Sequence, residues 1–492
     1  MHLVVEYVQQ FRRFQRNARL YLINNVLSGV TTGILLVLYN LYLTSLGYHA
    51  DFIGAVLFAG TIGAGLAIFP AGACVDRFSG KSILIWSTVL IGAAGAGQIL
   101  FRQPLPLLIS AFIAGVGIAF YFVINAPFLT ANSTPEERPH LFSMNISLGL
   151  VTLVLGEVLG GALPTWFRTL PGLMAPLPPW AASLLASQPD PRSYQLALLF
   201  AGVIAAPSFI PLFMMSNDRP QQSNHSRASF LEGNRQPRRD EGGADAGKER
   251  LRGTVSDSVS PALHLSQWWK NISLPSIMES IKTLLPSPFF FLVLVYVLTG
   301  LGAGLFIPYF NIYFVQHLNA SPALFGLIDG GANAMTALLT LIAPALAKRT
   351  GRINTIMLTR LVSIPLLLTI GLTSILPLAA FLYLFRQGTM DMSAGILQVF
   401  SMESVSKKYR GLANSSYQVA FQVPSALSAP LGGLIIVHLG YSPIFLLGAF
   451  CYILTIIILW SKFGWRRGGR SDGTEVKNAD TPIPLASQAK QD

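Results

Sequence analysis

The chain has 492 residues, of which 52% are hydrophobic and only 11% charged, with a formal net charge of +12. A soluble chain carries roughly 25% charged residues, and at a mean hydropathy of +0.53 this one holds more apolar side chain than a soluble core could bury. An ordinary soluble protein is thereby excluded, and so is a nucleic-acid partner, because Lys and Arg sit in short runs between apolar stretches rather than in one patch.

The basic run Arg12, Arg13, Arg16 and Arg19 precedes an apolar stretch that begins near Leu20 and outlasts a signal-peptide core. It therefore reads as a retained first helix. A membrane span needs about 20 mostly apolar residues. Stretches of that kind lie near 20–46, 52–74, 82–101, 104–129, 141–165 and 194–215, and again near 287–316, 322–347, 353–375, 377–399, 411–437 and 442–463. The expected fold class is all-α: twelve transmembrane helices in two six-helix bundles. The domains are a basic N-terminus over 1–19, bundles over 20–215 and 287–464, a linker over 216–286 and a tail over 465–492. Cys74 and Cys451 both lie in apolar stretches, implying neither a disulfide framework nor a metal site.

One alternating set of short loops holds Arg77 and Lys81, Arg138, then Lys348, Arg349 and Arg352, then Lys407, Lys408 and Arg410. The opposite set holds Arg102, Arg168 and Arg192. Positive loops stay inside, so both termini are expected in the cytoplasm, in a plasma membrane. The early part of the linker is polar and mixed in charge, as in disordered segments. Its later part, around Trp268 and Trp269, reads equally as a surface helix or a plain connection. The Pro-rich loop 166–193 carries no recognisable function.

The halves repeat. "GILLVLYNLYLTSLG" from Gly33 matches "GLFIPYFNIYFVQHLN" from Gly304, pairing Asn40 with Asn311 and Tyr42 with Tyr313 at an offset of 271. Arg77 with Arg349, Arg138 with Arg410, and Gly160-Gly161 with Gly432-Gly433 all pair at 272. Parallel six-helix repeats place a binding site between the halves and permit rocking about it.

The segment "GACVDRFSGK", Gly72 to Lys81, resembles the loop between the second and third helices of the major facilitator superfamily of secondary transporters, with one extra residue before Gly80. The matching loop "PALAKRTGR" has Lys348 where the acid would stand. The resemblance implies a conformational latch of Gly72, Asp76, Arg77 and Arg349. Gly72 would permit close helix approach, Asp76 would accept hydrogen bonds from a helix N-terminus, and Arg77 would pair with an acid across the inner mouth. Arg77 and Lys81 also simply satisfy the positive-inside rule. "GEVLGG", Gly156 to Gly161, is similar to the glycine-rich signature of drug/proton antiporters, with Glu157 in place of proline. "SGKS" at Ser79–Ser82 ends like a phosphate loop but has Val75 where the first glycine belongs. No nucleotide or other cofactor is expected.

Ionisable residues inside spans are expensive and call for explanation. Arg386 lies about 14 Å into its span at 1.5 Å per residue, near the midplane. Asp391 points about 140° away from it, so the two are no natural intrahelical pair. The resemblance implies a cavity lined by the first, fourth, seventh and tenth helices. Arg386, Asp391, Asn125, Asn40 and Asn311 are its candidate substrate residues, Arg386 to attract an anionic group or hold a carboxylate ionised. Glu157 and Asp329 lie in the outer halves of their spans. Burial penalises a charged carboxyl, which makes both candidates for proton coupling, although the resemblance also places their helices at the contact between halves. The expected function is transport of a small-molecule solute by alternating access, coupled to protons or another ion, by a monomer in the bilayer. An exporter of amphipathic compounds and a solute receptor on the same fold are the rivals. No HExxH or GxSxG motif marks an enzyme.

Overall fold

The computed structural model describes residues 14–134, 136–176, 184–216, 287–405 and 410–464, with 11, 178 and 182 singly. The linker beyond Ser216, with its expected surface helix, and the tail 465–492 lie outside the described residues. Among the described residues there is no β-strand. Twelve long helices follow in order among the described residues. The first half comprises α1 (Arg16–Ser45), α2 (Ala50–Arg77), α3 (Gly80–Leu100), α4 (Pro104–Ala131), α5 (Arg138–Arg168) and α6 (Pro189–Met214, with a 3-10 turn at Ala206–Ser208). The second comprises α7 (Pro288–His317, with tightened and widened turns after Phe306), α8 (Pro322–Thr350), α9 (Arg352–Leu372), α10 (Leu376–Glu403), α11 (Arg410–Leu439) and α12 (Ser442–Phe463).

Eleven of these are long and apolar enough to cross a bilayer. The remaining one is α10, whose 28 residues include Arg386, Gln387 and Asp391. It is long enough to span, and its polar residues lower its hydropathy. Helices also overrun the apolar stretches. The first starts at Arg16 rather than near Leu20, because hydropathy marks the hydrocarbon-facing part and not the polar turns beyond it. Side chains such as Trp86, Phe122, Leu341 and Trp460 are exposed, a pattern that suits helices embedded in a bilayer. Successive helices alternate in direction, so α1 begins and α12 ends on one face, hereafter the terminal face.

The repeat is visible in packing and in single bonds. In the first half α1 packs on α5, and α2 and α3 on α4; in the second α7 packs on α11, and α8 and α9 on α10. The buried Tyr42 hydroxyl donates to the Ile99 carbonyl at 2.7 Å, and Tyr313 donates to that of Ile370 at 2.5 Å. Both carbonyls belong to the last turn of a helix, α3 or α9, where the intrahelical ladder leaves them without a donor. These tyrosines therefore tie helices together.

The glycine pairs divide their labour in the same way in both halves. A Cβ on Gly160 would meet Ile34 of α1, and one on Gly432 would meet Leu305 of α7, each within its own half. A Cβ on Gly161 would meet Pro322, Ala323 and Gly326 of α8, and one on Gly433 would strike Ala50 of α2, each in the other half. In each pair, the first glycine closes a bundle and the second seals one bundle to the other. Small residues permit such backbone approach in membranes. All four contacts lie toward the face opposite the termini.

The long loop after α5 has an organiser. Arg192, 2% exposed, donates to the carbonyls of Ala186, Ser187, Ala175 and Leu173 at 2.6–3.3 Å. Gln195 donates to Ile99 and Leu184 carbonyls and accepts from the Ala186 amide. Arg168 pairs with Asp190 at 3.2 Å. The loop is thus pinned to the start of α6.

Candidate functional site

The face opposite the termini is shut. Asn40, near the end of α1, donates to the Pro308 carbonyl at 2.7 Å and to Asn311 Oδ1 at 3.4 Å; Asn311 donates to the Val37 carbonyl at 3.3 Å. These repeated asparagines, expected to line a cavity, are buried against each other in the seam between halves. Tyr309 of α7 donates to the Ala429 carbonyl of α11 at 2.6 Å and sits against Gly54 of α2. The terminal face differs. A Cβ on Gly72 would meet nothing within 4 Å, so the close approach expected there is not made in this conformation. Arg77 and Arg349 are exposed and form no ion pair among the described residues. The side chain of Asp76 lies outside the described residues. Lys81 donates to the Phe213 and Met215 carbonyls at 3.0 and 2.6 Å, a cation on the C-terminal end of α6.

Between the sealed seam and the terminal face lies a chain of polar side chains. Glu157 of α5 is fully buried, and both its oxygens accept from Asn333 Nδ2 of α8, at 2.9 and 3.0 Å. One helical turn from Asn333, Asp329 accepts from the Tyr383 hydroxyl of α10 at 2.8 Å. Tyr383 stands edge-on to Phe310 and Phe314 of α7. Two carboxyls and an amide thus meet where α5 of one half is packed on α8 of the other.

Arg386, about 15 Å along α10, is only 1% exposed. Its guanidinium lies over the Phe306 and Phe310 rings, 4.9 and 5.9 Å from their centroids, and reaches the Tyr452 hydroxyl of α12 at 3.5 Å. In this conformation it is closed off from open space. Its Nη1 donates to Gln387 Oε1 at 3.0 Å, and Gln387 Nε2 donates to Asp391 Oδ2 at 2.8 Å. Arg386 and Asp391 point apart along the helix, as their spacing predicts, yet this amide connects them. Thr336 of α8 adds a 3.5 Å contact to the same Asp391 oxygen. Asn125 on α4 is half-buried.

Sequence reasoning passed over Asn333, Tyr383, Gln387 and Arg360. Asn333 stands four residues from Asp329, on the same helical face. Gln387 stands one residue after Arg386 and four before Asp391. Arg360, midway along the apolar α9, is 2% exposed and donates to the Thr299 and Thr455 hydroxyls, 3.1 and 2.9 Å away.

The sequence matches the pattern of the Major Facilitator Superfamily over residues 21–295 and 292–487. The chain belongs to that superfamily. Solved superfamily-like structures agree on the fold. A bacterial homologue of the human lysosomal transporter Spinster, inward-facing and occupied, gives a TM-score of 0.64 at 13% identity, covering 92% of this chain and 98% of the other. A bacterial homologue of the iron transporter ferroportin, inward-facing, gives 0.62 at 15%, covering 91% and 98%. The xylose transporter XylE from E. coli, inward-open, gives 0.60 at 13%, covering 93% and 98%. No curated protein sequence matches the chain. This superfamily member is a multi-pass membrane protein whose general activity is secondary transport.

Proposed function

We propose that the protein is a proton-coupled secondary transporter of a small solute, and that Glu157 and Asp329 carry the coupling. The observation behind this reading is the Glu157–Asn333 contact. It puts a fully buried carboxyl across the seam between the halves, at the level of Arg386 and beside a second carboxyl. A buried carboxylate is tolerable when an amide donor faces it, and a neutral carboxyl needs that donor less. Rocking the halves apart at α5 and α8 separates Glu157 from Asn333, so the ionised carboxyl resists that motion and the protonated one permits it. Proton occupancy then gates the seal.

The basic terminal face is the cytoplasmic one by the positive-inside rule, in the plasma membrane. The conformation described is therefore sealed outside and open inside, and Gly72, Asp76, Arg77 and Arg349 form their latch only when the inner mouth shuts. The named cargoes of the structural neighbours (a sugar, a nucleoside, a metal) are too diverse to carry over to this chain.

The test is proton movement in proteoliposomes holding the purified protein and a trapped pH-sensitive dye, with a panel of solutes added outside. Solute-dependent proton flux that is lost in Glu157→Gln and in Asn333→Leu supports the reading. Flux unchanged in both variants refutes this coupling site, and solute uptake with no proton movement refutes proton coupling.

A further inference from the structure

The charged side chains inside the spans differ in how far they are withdrawn. Glu157, Arg360 and Arg386 are no more than 2% exposed, whereas Asp329 and Asp391 are only half-buried. Both arginines are withdrawn into the second bundle, and the charge left facing open space is negative. Asp329 is held by Tyr383 near the sealed end. Asp391 lies deeper, on a stripe of α10 made by Gln387, Asp391, Ala394, Gly395 and Gln398 at helical spacing. Exposure along that stripe rises from half-buried at Gln387 and Asp391 to exposed at Ala394, Gly395 and Gln398, toward the terminal face. A lipid-facing stripe at this depth would be apolar, so this one faces an aqueous path.

Gln387 fixes how Asp391 is presented. Its amide oxygen receives the Arg386 guanidinium, which offers only donors, so its NH2 must face Asp391. The reverse orientation would set two donors against each other at 3.0 Å. The bond from Gln387 occupies Asp391 Oδ2, as does the longer contact from Thr336, and Oδ1 stays available. The sealed arginine thus reaches the path only as a polarised amide, which holds the carboxylate in place without neutralising it by contact.

Building on the transport reading above, we propose that Gln387 is a positioning residue that presents Asp391 as the charge-selecting group of the path, and that the solute carried bears a positive charge. An ammonium-type or other organic cation donates to or rests against Asp391 Oδ1. An anionic solute meets a carboxylate there, with the nearest guanidinium shut behind Phe306 and Phe310.

The sign can be read without knowing the solute. In the full chain carrying Cys74→Ala and Cys451→Ala, Ala394→Cys is modified in proteoliposomes by two thiosulfonate reagents, one a trimethylammonium and one a sulfonate. With one carboxylate a helical turn away, the cationic reagent is expected to be favoured on the order of tenfold over its ratio on a free thiol. Asp391→Asn should abolish most of that preference and Asp391→Glu should keep it. Gln387→Leu should reduce it; the variant also takes the acceptor from the buried Arg386 Nη1 and lowers the melting temperature, but a purely structural role would not move the reagent ratio. Gln398→Cys serves as a second reporter should Ala394→Cys not fold. No reaction at either reporter, a preference for the sulfonate, or a ratio indifferent to Asp391→Asn overturns the assignment.

The solute's sign is then tested by protection. Tetraphenylphosphonium should slow the modification and the equally sized tetraphenylborate should not; protection by the borate, by neither ion, or by sodium chloride alone overturns a cationic solute. None of these readings needs proton flux. A protein that shows the charge preference but no driven flux refutes the coupling proposal and leaves the role of Gln387 intact.

Discussion

Gly161→Ala and Gly160→Ala differ by one residue and should fail in different ways. A Cβ on Gly161 would lie 2.5 Å from the Pro322 carbonyl oxygen, 3.0 Å from Ala323 Cα and 3.1 Å from Gly326 Cα, all backbone atoms of the other half. Ordinary contact begins at 3.4 Å, so α5 and α8 must part by roughly 1 Å to admit the methyl. Overpacking of this kind costs about 1–3 kcal/mol. The bundles are separate bodies joined at this seam, so the strain is relieved by parting them and falls on the sealed state alone. The sealed population should drop by roughly 5- to 150-fold relative to states opened on that side. A Cβ on Gly160 would instead lie 2.9 Å from Ile34 Cα within its own bundle. Similar strain there lowers the stability of the first bundle in every state.

The assay follows Ala50→Cys, at the seam on the sealed face, with a membrane-impermeant maleimide in oriented vesicles. Ala50 is buried there against Gly433 of the other half. Labelling should rise at least severalfold in Gly161→Ala at little change in melting temperature. Gly160→Ala should lower the melting temperature with labelling unchanged. Equal labelling in the two variants would refute the division of labour between the glycines.

Asn333→Leu leaves the Glu157 carboxyl buried without its donor, a loss of about 1–3 kcal/mol if the carboxyl is neutral and more if it is charged. The double variant with Glu157→Leu should recover much of that stability, and a double-mutant cycle on melting temperatures checks it. Tyr313→Phe orphans the helix-terminal Ile370 carbonyl and should cost about 1 kcal/mol, whereas Tyr42→Phe leaves the Ile99 carbonyl its bond from Gln195 and should cost less. The two losses should add, because the bonds sit in different bundles; thermal unfolding of both singles and the double decides. Arg192→Met removes the donor to four loop carbonyls and should expose the loop to limited proteolysis on the sealed face. Arg192→Lys should not restore protection, since one ammonium cannot reproduce the guanidinium fork.

Much of the architecture could be read before any coordinates. Apolar stretches long enough to cross a bilayer gave the spans, and the repeat gave two bundles. The glycine pairs could be found by offset alone. The candidate site was only half legible. Glu157, Asp329, Arg386 and Asp391 stand out because charge within a span is costly wherever it occurs. Their partners carry no such mark, since an asparagine, a tyrosine or a glutamine in a membrane helix is common enough to pass unremarked.

What the sequence determined by itself is therefore what depends on one helix at a time: length, polarity, the angle between Arg386 and Asp391 and the register of the repeat. Tertiary structure alone decided that Asn333 faces Glu157 from another bundle, that Asn40 and Asn311 meet in the seam, and that both arginines lie withdrawn while Asp391 faces open space. The physical reason is that periodicity fixes which way a side chain points from its own axis, whereas its partner and its exposure depend on which neighbouring helix arrives there, and at what height.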